Sequence, residues 1–154
     1  MSWEGYKFNN EGEMIPVTVY LIWGAPASGK TTYVKQHMQD GDMVVDLDLI
    51  KQSLSMMSKT DTWDTLLEVV LSIREHLYDL IEKRRVKSDV WVISGLPERD
   101  KREEVIKKIK ADKVIHIKAT EKECIERAKN DIERTDKQKQ MQIIHKWFNK
   151  YYGF

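Results

Sequence analysis

An apolar run, Val17-Thr18-Val19-Tyr20-Leu21-Ile22-Trp23, leads without a break into two glycines five residues apart, Gly24 and Gly29, followed at once by Lys30 and Thr31. No other feature constrains the chain as strongly. The run is β-branched and aromatic, of strand length and apolar at nearly every position, as a strand buried on both faces of a parallel sheet would be. Residues Thr31 to Gln39 then carry a helical pattern that Gly41 stops. The intervening Gly24-Ala25-Pro26-Ala27-Ser28-Gly29-Lys30-Thr31 therefore turns the chain from a strand end into a helix start. Glycines permit the tight turn, and a helix start presents unpaired amides at the positive end of its dipole. A loop so built closes around an anion, and phosphate is the anion that fits.

The spacing G-x-x-x-x-G-K-[ST] assigns a task to each position. The amides of the loop converge on the phosphates of a nucleoside triphosphate, ATP or GTP; Pro26 has no amide, so its neighbours supply the cradle. Lys30 reaches the β- and γ-phosphates as a mobile charge, and the Thr31 hydroxyl takes one position around Mg²⁺. The expected binding segment is Gly24, Ala25, Pro26, Ala27, Ser28, Gly29, Lys30, Thr31 and Thr32.

Strand and helix signals alternate along the rest of the chain. A second strand is predicted at Met43-Val44-Val45-Asp46-Leu47, a third at Asp89–Ser94 and a fourth at Lys113–Lys118. Asp61-Thr62-Trp63-Asp64 offers N-cap residues for a long helix whose apolar positions Leu66, Leu67, Val70, Ile73, Leu77, Leu80 and Ile81 recur at helical spacing to about Arg84. Further helices are expected from Asp100 to Lys110, from a capping box at Thr120 and Glu123, and over an amphipathic end carrying Met141, Ile144, Trp147, Phe148 and Tyr151. The fold class is α/β: a three-layer α/β/α arrangement with a mainly parallel sheet of about four to five strands. Residues 1–16, with Trp3, Tyr6 and Phe8 ahead of a turn-like Asn9-Asn10-Glu11-Gly12, read as an N-terminal arm or a small hairpin, and residues 17–154 as the phosphate-loop domain.

Composition narrows the classes. A chain of 154 residues suits one domain, and 41% hydrophobic with 33% charged residues is globular. Its apolar runs fall short of the ~20 residues of a membrane span, and its first residues lack a secretory pattern, so a cytoplasmic protein is expected. Cys124 is the single cysteine and reads as a helix residue. The net charge of +1 hides an asymmetry: residues 1–77 carry 6 Lys/Arg against 11 Asp/Glu, and residues 78–154 carry 20 against 14. Most of those later lysines alternate with acids and read as solvated helix faces, although a basic half also suits a phosphate-bearing substrate.

Phosphoryl transfer by such a loop needs an acid near the acceptor and arginines near the transferring group. Asp46 and Asp48 fall at the end of the second strand, where parallel sheets keep their ligands, and on a strand they would share a face. Asp48 also reads as the N-cap of a helix from Leu49, a role that can coexist with the first. Asp46 is a second candidate ligand for Mg²⁺. Arg99 and Arg102, just past the third strand, are candidates to meet an acceptor phosphate.

The loop at 24–32, the aspartate segment at 46–53, and Glu126-Arg127-Ala128 leading on to Arg134 resemble the P-loop kinases that include polynucleotide 5′-kinases and zeta-toxin sugar-nucleotide kinases, in their small bacteriophage form. The resemblance covers roughly residues 17–150. It implies that Asp48 is the general base for an acceptor hydroxyl, and that Arg127 and Arg134 belong to an arginine-bearing lid near 127–138. The acceptor would be a nucleotide, a nucleic-acid 5′ end or another small molecule, and a phage-encoded chain would work in the host cytoplasm. One departure stands out: the third strand ends in Ile93-Ser94-Gly95, where many relatives place an aspartate that helps hold Mg²⁺. Against a kinase stand two alternatives, an ATPase or GTPase and a nucleotide-binding protein without efficient turnover. The chain has no guanine-reading Asn-Lys-x-Asp and no apolar run ending in Asp-Glu.

Overall fold

The computed structural model describes residues 3–57 and 64–153. In chain order its elements are β1 (Tyr6–Phe8), β2 (Met14–Pro16), β3 (Val19–Trp23), α1 (Lys30–His37), β4 (Met43–Asp46), α2 (Leu47–Ser55), a 3-10 turn (Asp64–Leu66), α3 (Leu67–Glu82), β5 (Val90–Ser94), α4 (Arg99–Ile109), β6 (Lys113–His116), α5 (Glu121–Asn130) and α6 (Lys137–Tyr152). β1 and β2 pair antiparallel as a hairpin at residues 6–16. The other four strands form one sheet in the order β4-β5-β3-β6, parallel throughout.

Alternation along β3 explains the layering. Val19 and Leu21 face one side and, with Val45, Val90 and Val92, bury against Tyr78 and Ile81 of α3 and Ile109 of α4. Ile22 faces the other side and packs with Trp91, Ile93 and Val34 of α1. A third cluster joins Trp23 at the strand's end to Cys124 and Ala128 of α5 and to Ile144, Trp147 and Phe148 of α6. The chain is thus a three-layer α/β/α fold, and β3 has no exposed face.

The boundaries shift from those the sequence suggests, for local reasons. β3 begins two residues late because Thr18 and Val19 donate their amides to the carboxylates of Asp89 and Asp112, each at 2.8 Å, rather than to a neighbouring strand. α3 stops at Glu82, not Arg84: Arg84 has a left-handed φ of 53° and its guanidinium donates to the carbonyls of Ile81, Ile109 and Lys110. The proposed cap at Asp61-Thr62-Trp63 lies outside the described residues. Leu67 is exposed, while Tyr78, which the periodic pattern omitted, is buried. On α6 the apolar face is narrower than expected, with Met141 and Tyr151 both more than a third exposed. The cap at Thr120 is present, its hydroxyl accepting the Glu123 amide at 3.1 Å. Asp136 caps α6 in the same way through the Lys139 amide. Among the described residues no helix is long and apolar enough to cross a membrane.

Candidate functional site

The glycine loop sits at the C-terminal end of β3 and opens α1, where the strand ends of a parallel sheet form a crevice. Its backbone explains its composition. Gly29, with φ at 103°, occupies the N-cap of α1, and Ala27 also lies at positive φ. Gly24 is required by the protein itself, because a Cβ there would come within 2.7 Å of the Ile117 carbonyl oxygen. The sequence suggests phosphate as the reason for that glycine; the nearer constraint is the chain just past β6.

Lys30 is half-buried, and its ammonium donates to the carbonyls of Gly24 and Ala25, both at 2.7 Å. Burial opposes its charge, Asp46 partly restores it and Arg134 opposes it, and the pKa falls to about 8. Lys30 thus feels Asp46 and Arg134 across the same cleft. That cleft, about 670 Å³, is bordered by the loop from Pro26 to Thr32, by Asp46 and Asp48, by Ser94 and Gly95, and by Arg127 and Arg134. Every charged residue to which the sequence reading gave a role in transfer or metal binding, apart from Arg99 and Arg102, borders this one space.

The two aspartates do not share a strand face. β4 ends at Asp46, which is itself the N-cap residue of α2, and α2 begins at Leu47, so Asp48 stands in the first turn of the helix, two positions too late to be its N-cap. Helix start and strand end abut, and this is what keeps both carboxylates on the cleft. The two arginines stand on different segments, because α5 ends at Asn130. Arg127, in its last turn, donates to the Ser28 carbonyl at 2.5 Å. Arg134 lies in the connector to α6, where Asp131 receives its Nε at 3.2 Å and the Gln140 side-chain oxygen its terminal nitrogen at 2.6 Å.

Arg99 and Arg102 are not on the cleft. Arg102 donates to the carbonyls of Leu96 and Pro97, and its guanidinium lies 3.8 Å from the centroid of Trp23, whose ring also stacks on His116 at 3.7 Å. A cation used in this way braces the end of β3. Cys124 is fully buried and its thiol is pushed up by burial, which makes it a packing residue.

Sequence reasoning missed Arg74 of α3 and Lys51 of α2, both of which line the cleft. Neither belongs to a motif; only the packing of α2 on α3 brings them there. An adjoining chamber of about 660 Å³ shares Thr31, Lys35, Ile93 and Glu133 with the cleft and is walled by Val34, Met38, Val44, Leu49 and Ile132.

The Thr31 hydroxyl and the Asp46 carboxylate are hard oxygen donors on the cleft, a set that suits Mg²⁺ completed by phosphate oxygens and water. Among the described residues no group of three or more His, Cys, Asp or Glu could hold a metal ion without such help.

A glycine loop between a buried strand and a helix, a lysine inside it, and carboxylates and arginines around it define a nucleotide-binding P-loop domain of the kind found in kinases and ATPases. Residues 19–148 match the family described as AAA domain, and the chain belongs to that family. Among curated proteins nothing matches. Among solved structures it is similar to a chain of the Pnkp1/Rnl/Hen1 RNA repair complex, with a TM-score of 0.58 and 16% identity over 92% of this chain and 49% of that one. At that identity the likeness is one of fold, and this chain spans about half the length of the one it matches.

Proposed function

We propose that this protein is a Mg²⁺-dependent phosphotransferase that moves the γ-phosphate of ATP, or of GTP, to an acceptor hydroxyl. The observation that carries the reading is the placement of Asp48 on the same cleft as Lys30, Thr31, Arg127 and Arg134. A site built only to hold a triphosphate has no use for a carboxylate set beside the transferring group. In the reaction, the acceptor hydroxyl oxygen bonds to the γ-phosphorus and its proton passes to Asp48. The bond from the γ-phosphorus to the β–γ bridging oxygen breaks, and the electron pair leaves with the nucleoside diphosphate on the loop. Lys30 and the loop amides meet the charge on the leaving oxygens, and Arg127 and Arg134 meet that on the transferring group. Bound Mg²⁺, held by Thr31 and Asp46, would neutralise the phosphate oxygens. The sequence resemblance favours a nucleotide or nucleic-acid 5′ end as acceptor, and a fold shared with a chain of an RNA repair complex is consistent with it.

Ser94 at the end of β5 supports a second reading, a nucleotide-binding protein with slow turnover, since a strand-end acid would have strengthened the metal site. Asp48→Asn separates the two. If Asp48 accepts the proton, this variant keeps its melting temperature and MgATP affinity, while γ-phosphate transfer to nucleotide and 5′-hydroxyl oligonucleotide acceptors falls by roughly 10²–10⁴. Transfer at the wild-type rate would remove Asp48 from the chemistry.

A further inference from the structure

The hairpin at residues 6–16 is built inside out. Tyr6 lies opposite Pro16 and Phe8 opposite Met14, so these four side chains share one face of β1 and β2. That face is in water: Tyr6 is 45% exposed, Phe8 56% and Met14 49%, and Pro16 is exposed as well. The opposite face carries Lys7 and Ile15, both half-buried, and the Asp89 carboxylate draws Lys7 inward at 2.5 Å. A hairpin with one solvated face ordinarily puts the lysine outside and the rings inside. Here the order is reversed, and the hairpin is not free to turn over, because Gly5 donates its amide to the Val86 carbonyl and Val17 donates to that of Gly5. Two three-residue strands gain no stability from large apolar groups held in water. With Trp3, whose ring lies 5.5 Å from that of Phe8, those groups form one patch. Its exposed area falls within the roughly 300–600 Å² of the largest apolar patch on an ordinary monomer, a size that marks interaction sites.

Charge decides what covers the patch. At one end, the turn between β1 and β2 carries the exposed Glu11 and Glu13. The other end, where β1 begins, is flanked by the exposed Arg85, 3.7 Å from Glu4, and by Lys87, 4.4 Å from the centroid of the Trp3 ring. A surface that is apolar in the middle, acidic at one end and basic at the other complements itself. When two copies meet face to face about a two-fold axis that lies in the interface and runs across the strands, each acidic turn falls on the other copy's basic end. A two-fold axis along the strands would instead set acid against acid. The net charge of +1 adds no general repulsion between copies. Two such patches remove about 600–1,200 Å² of apolar surface, and the polar rim of turns and basic ends carries the total toward the roughly 1,200–2,000 Å² of a stable interface. We propose that the outward face of the hairpin is the interface of a symmetric, antiparallel homodimer, with a second copy of this chain as its occupant. The nucleotide cleft lies at the opposite end of β3, so both clefts stay open, and the proposal is independent of the reaction assigned to them.

Sedimentation velocity with light scattering tests it. At roughly 100 µM, well above a Kd of micromolar order, the wild type should have twice the 18.2 kDa mass of the chain. Phe8→Glu puts a charge at the centre of the face and should raise the dimer Kd at least tenfold, with MgATP affinity unchanged. Met14→Lys makes the same intrusion from β2 and serves where the first variant does not fold. Charge reversal then identifies the partner as this chain. One variant carries Glu11→Lys with Glu13→Lys, a second carries Arg85→Glu with Lys87→Glu, and each should dimerise more weakly alone than the two do when mixed, because only the mixture restores both acid–base contacts. A wild type that stays monomeric at that concentration overturns the proposal and leaves the face to a different protein. A dimer that neither Phe8→Glu nor Met14→Lys weakens overturns it as well, and so do charge variants that pair alone as tightly as they pair with each other.

Discussion

Lys30 carries its charge where the surroundings resist it. Burial among loop carbonyls brings its pKa down to about 8, against an ordinary value of 10.5. Between those two values the folded chain binds fewer protons at this residue than the unfolded chain, so its contribution to stability improves as pH rises through about 8 and is least favourable below it. Nucleotide binding has the opposite dependence, because a triphosphate needs the ammonium. Affinity for MgATP should be flat below about pH 8 and decline above it, with proton uptake on binding near pH 8–9. Calorimetry in two buffers of different ionisation enthalpy measures that uptake. Lys30→Ala should fold, bind nucleotide weakly and show neither the decline nor the uptake. The loop lysine and threonine are the part of the site most legible in sequence, since their tasks depend only on neighbours within eight residues. The reason for Gly24 was not legible, because the carbonyl that excludes a side chain belongs to Ile117.

At the scale of elements the connector between α5 and α6 has most to say about turnover. Asp131 and Gln140 hold Arg134 from both sides, so its guanidinium is oriented before the reaction begins. Charge on the transferring group peaks in the transition state, and an oriented cation acts mainly there. Arg134→Ala should lower kcat by roughly 10²–10³ and nucleotide affinity far less. Steady-state kinetics with direct binding on the same sample checks this, and an equal loss in both would make it a ground-state ligand. The sequence shows the break in helical pattern after Asn130 and both arginines, but not their spacing in space, which depends on how α6 returns against α5. The aspartate pair teaches the same lesson. Val45 to Ile50 suits a strand or a helix equally, and only tertiary packing ends β4 at Asp46 and so carries Asp48 into α2. Arg74 lay beyond reach for a related reason: a single arginine on an amphipathic helix has no signature until its neighbours are known.

The whole molecule is tied at the end of the sheet away from the nucleotide. Asp89 is buried, accepts the Thr18 amide, and pairs with Lys7 of the hairpin at 2.5 Å. One carboxylate thus joins residues 6–16 to the start of β3 and the approach to β5. Asp89→Ala leaves an amide and a lysine without their acceptor and should cost about 2–3 kcal/mol. Urea unfolding measures the loss, and nucleotide affinity at temperatures where the variant stays folded should be unchanged. Layering was legible from alternating strands and helices, whereas the strand order was not, since nothing local in β3 names its neighbours.

That order also governs how the chain reaches its final form. β3 aligns Val19 with Val90 and Tyr20 with Lys113, so its two neighbours are supplied some seventy and ninety residues downstream. Closing such long loops is slow, and a wholly apolar strand stays uncovered in the meantime. The cleft comes later still, for its rim needs α2, α3 and the turn beyond α5 around a finished sheet. A triphosphate then has nothing complete to hold at the folding barrier and cannot act as a template. Saturating MgATP should slow unfolding in proportion to its occupancy and leave the refolding rate as it was, so that the nucleotide guards the assembled molecule without hastening its assembly.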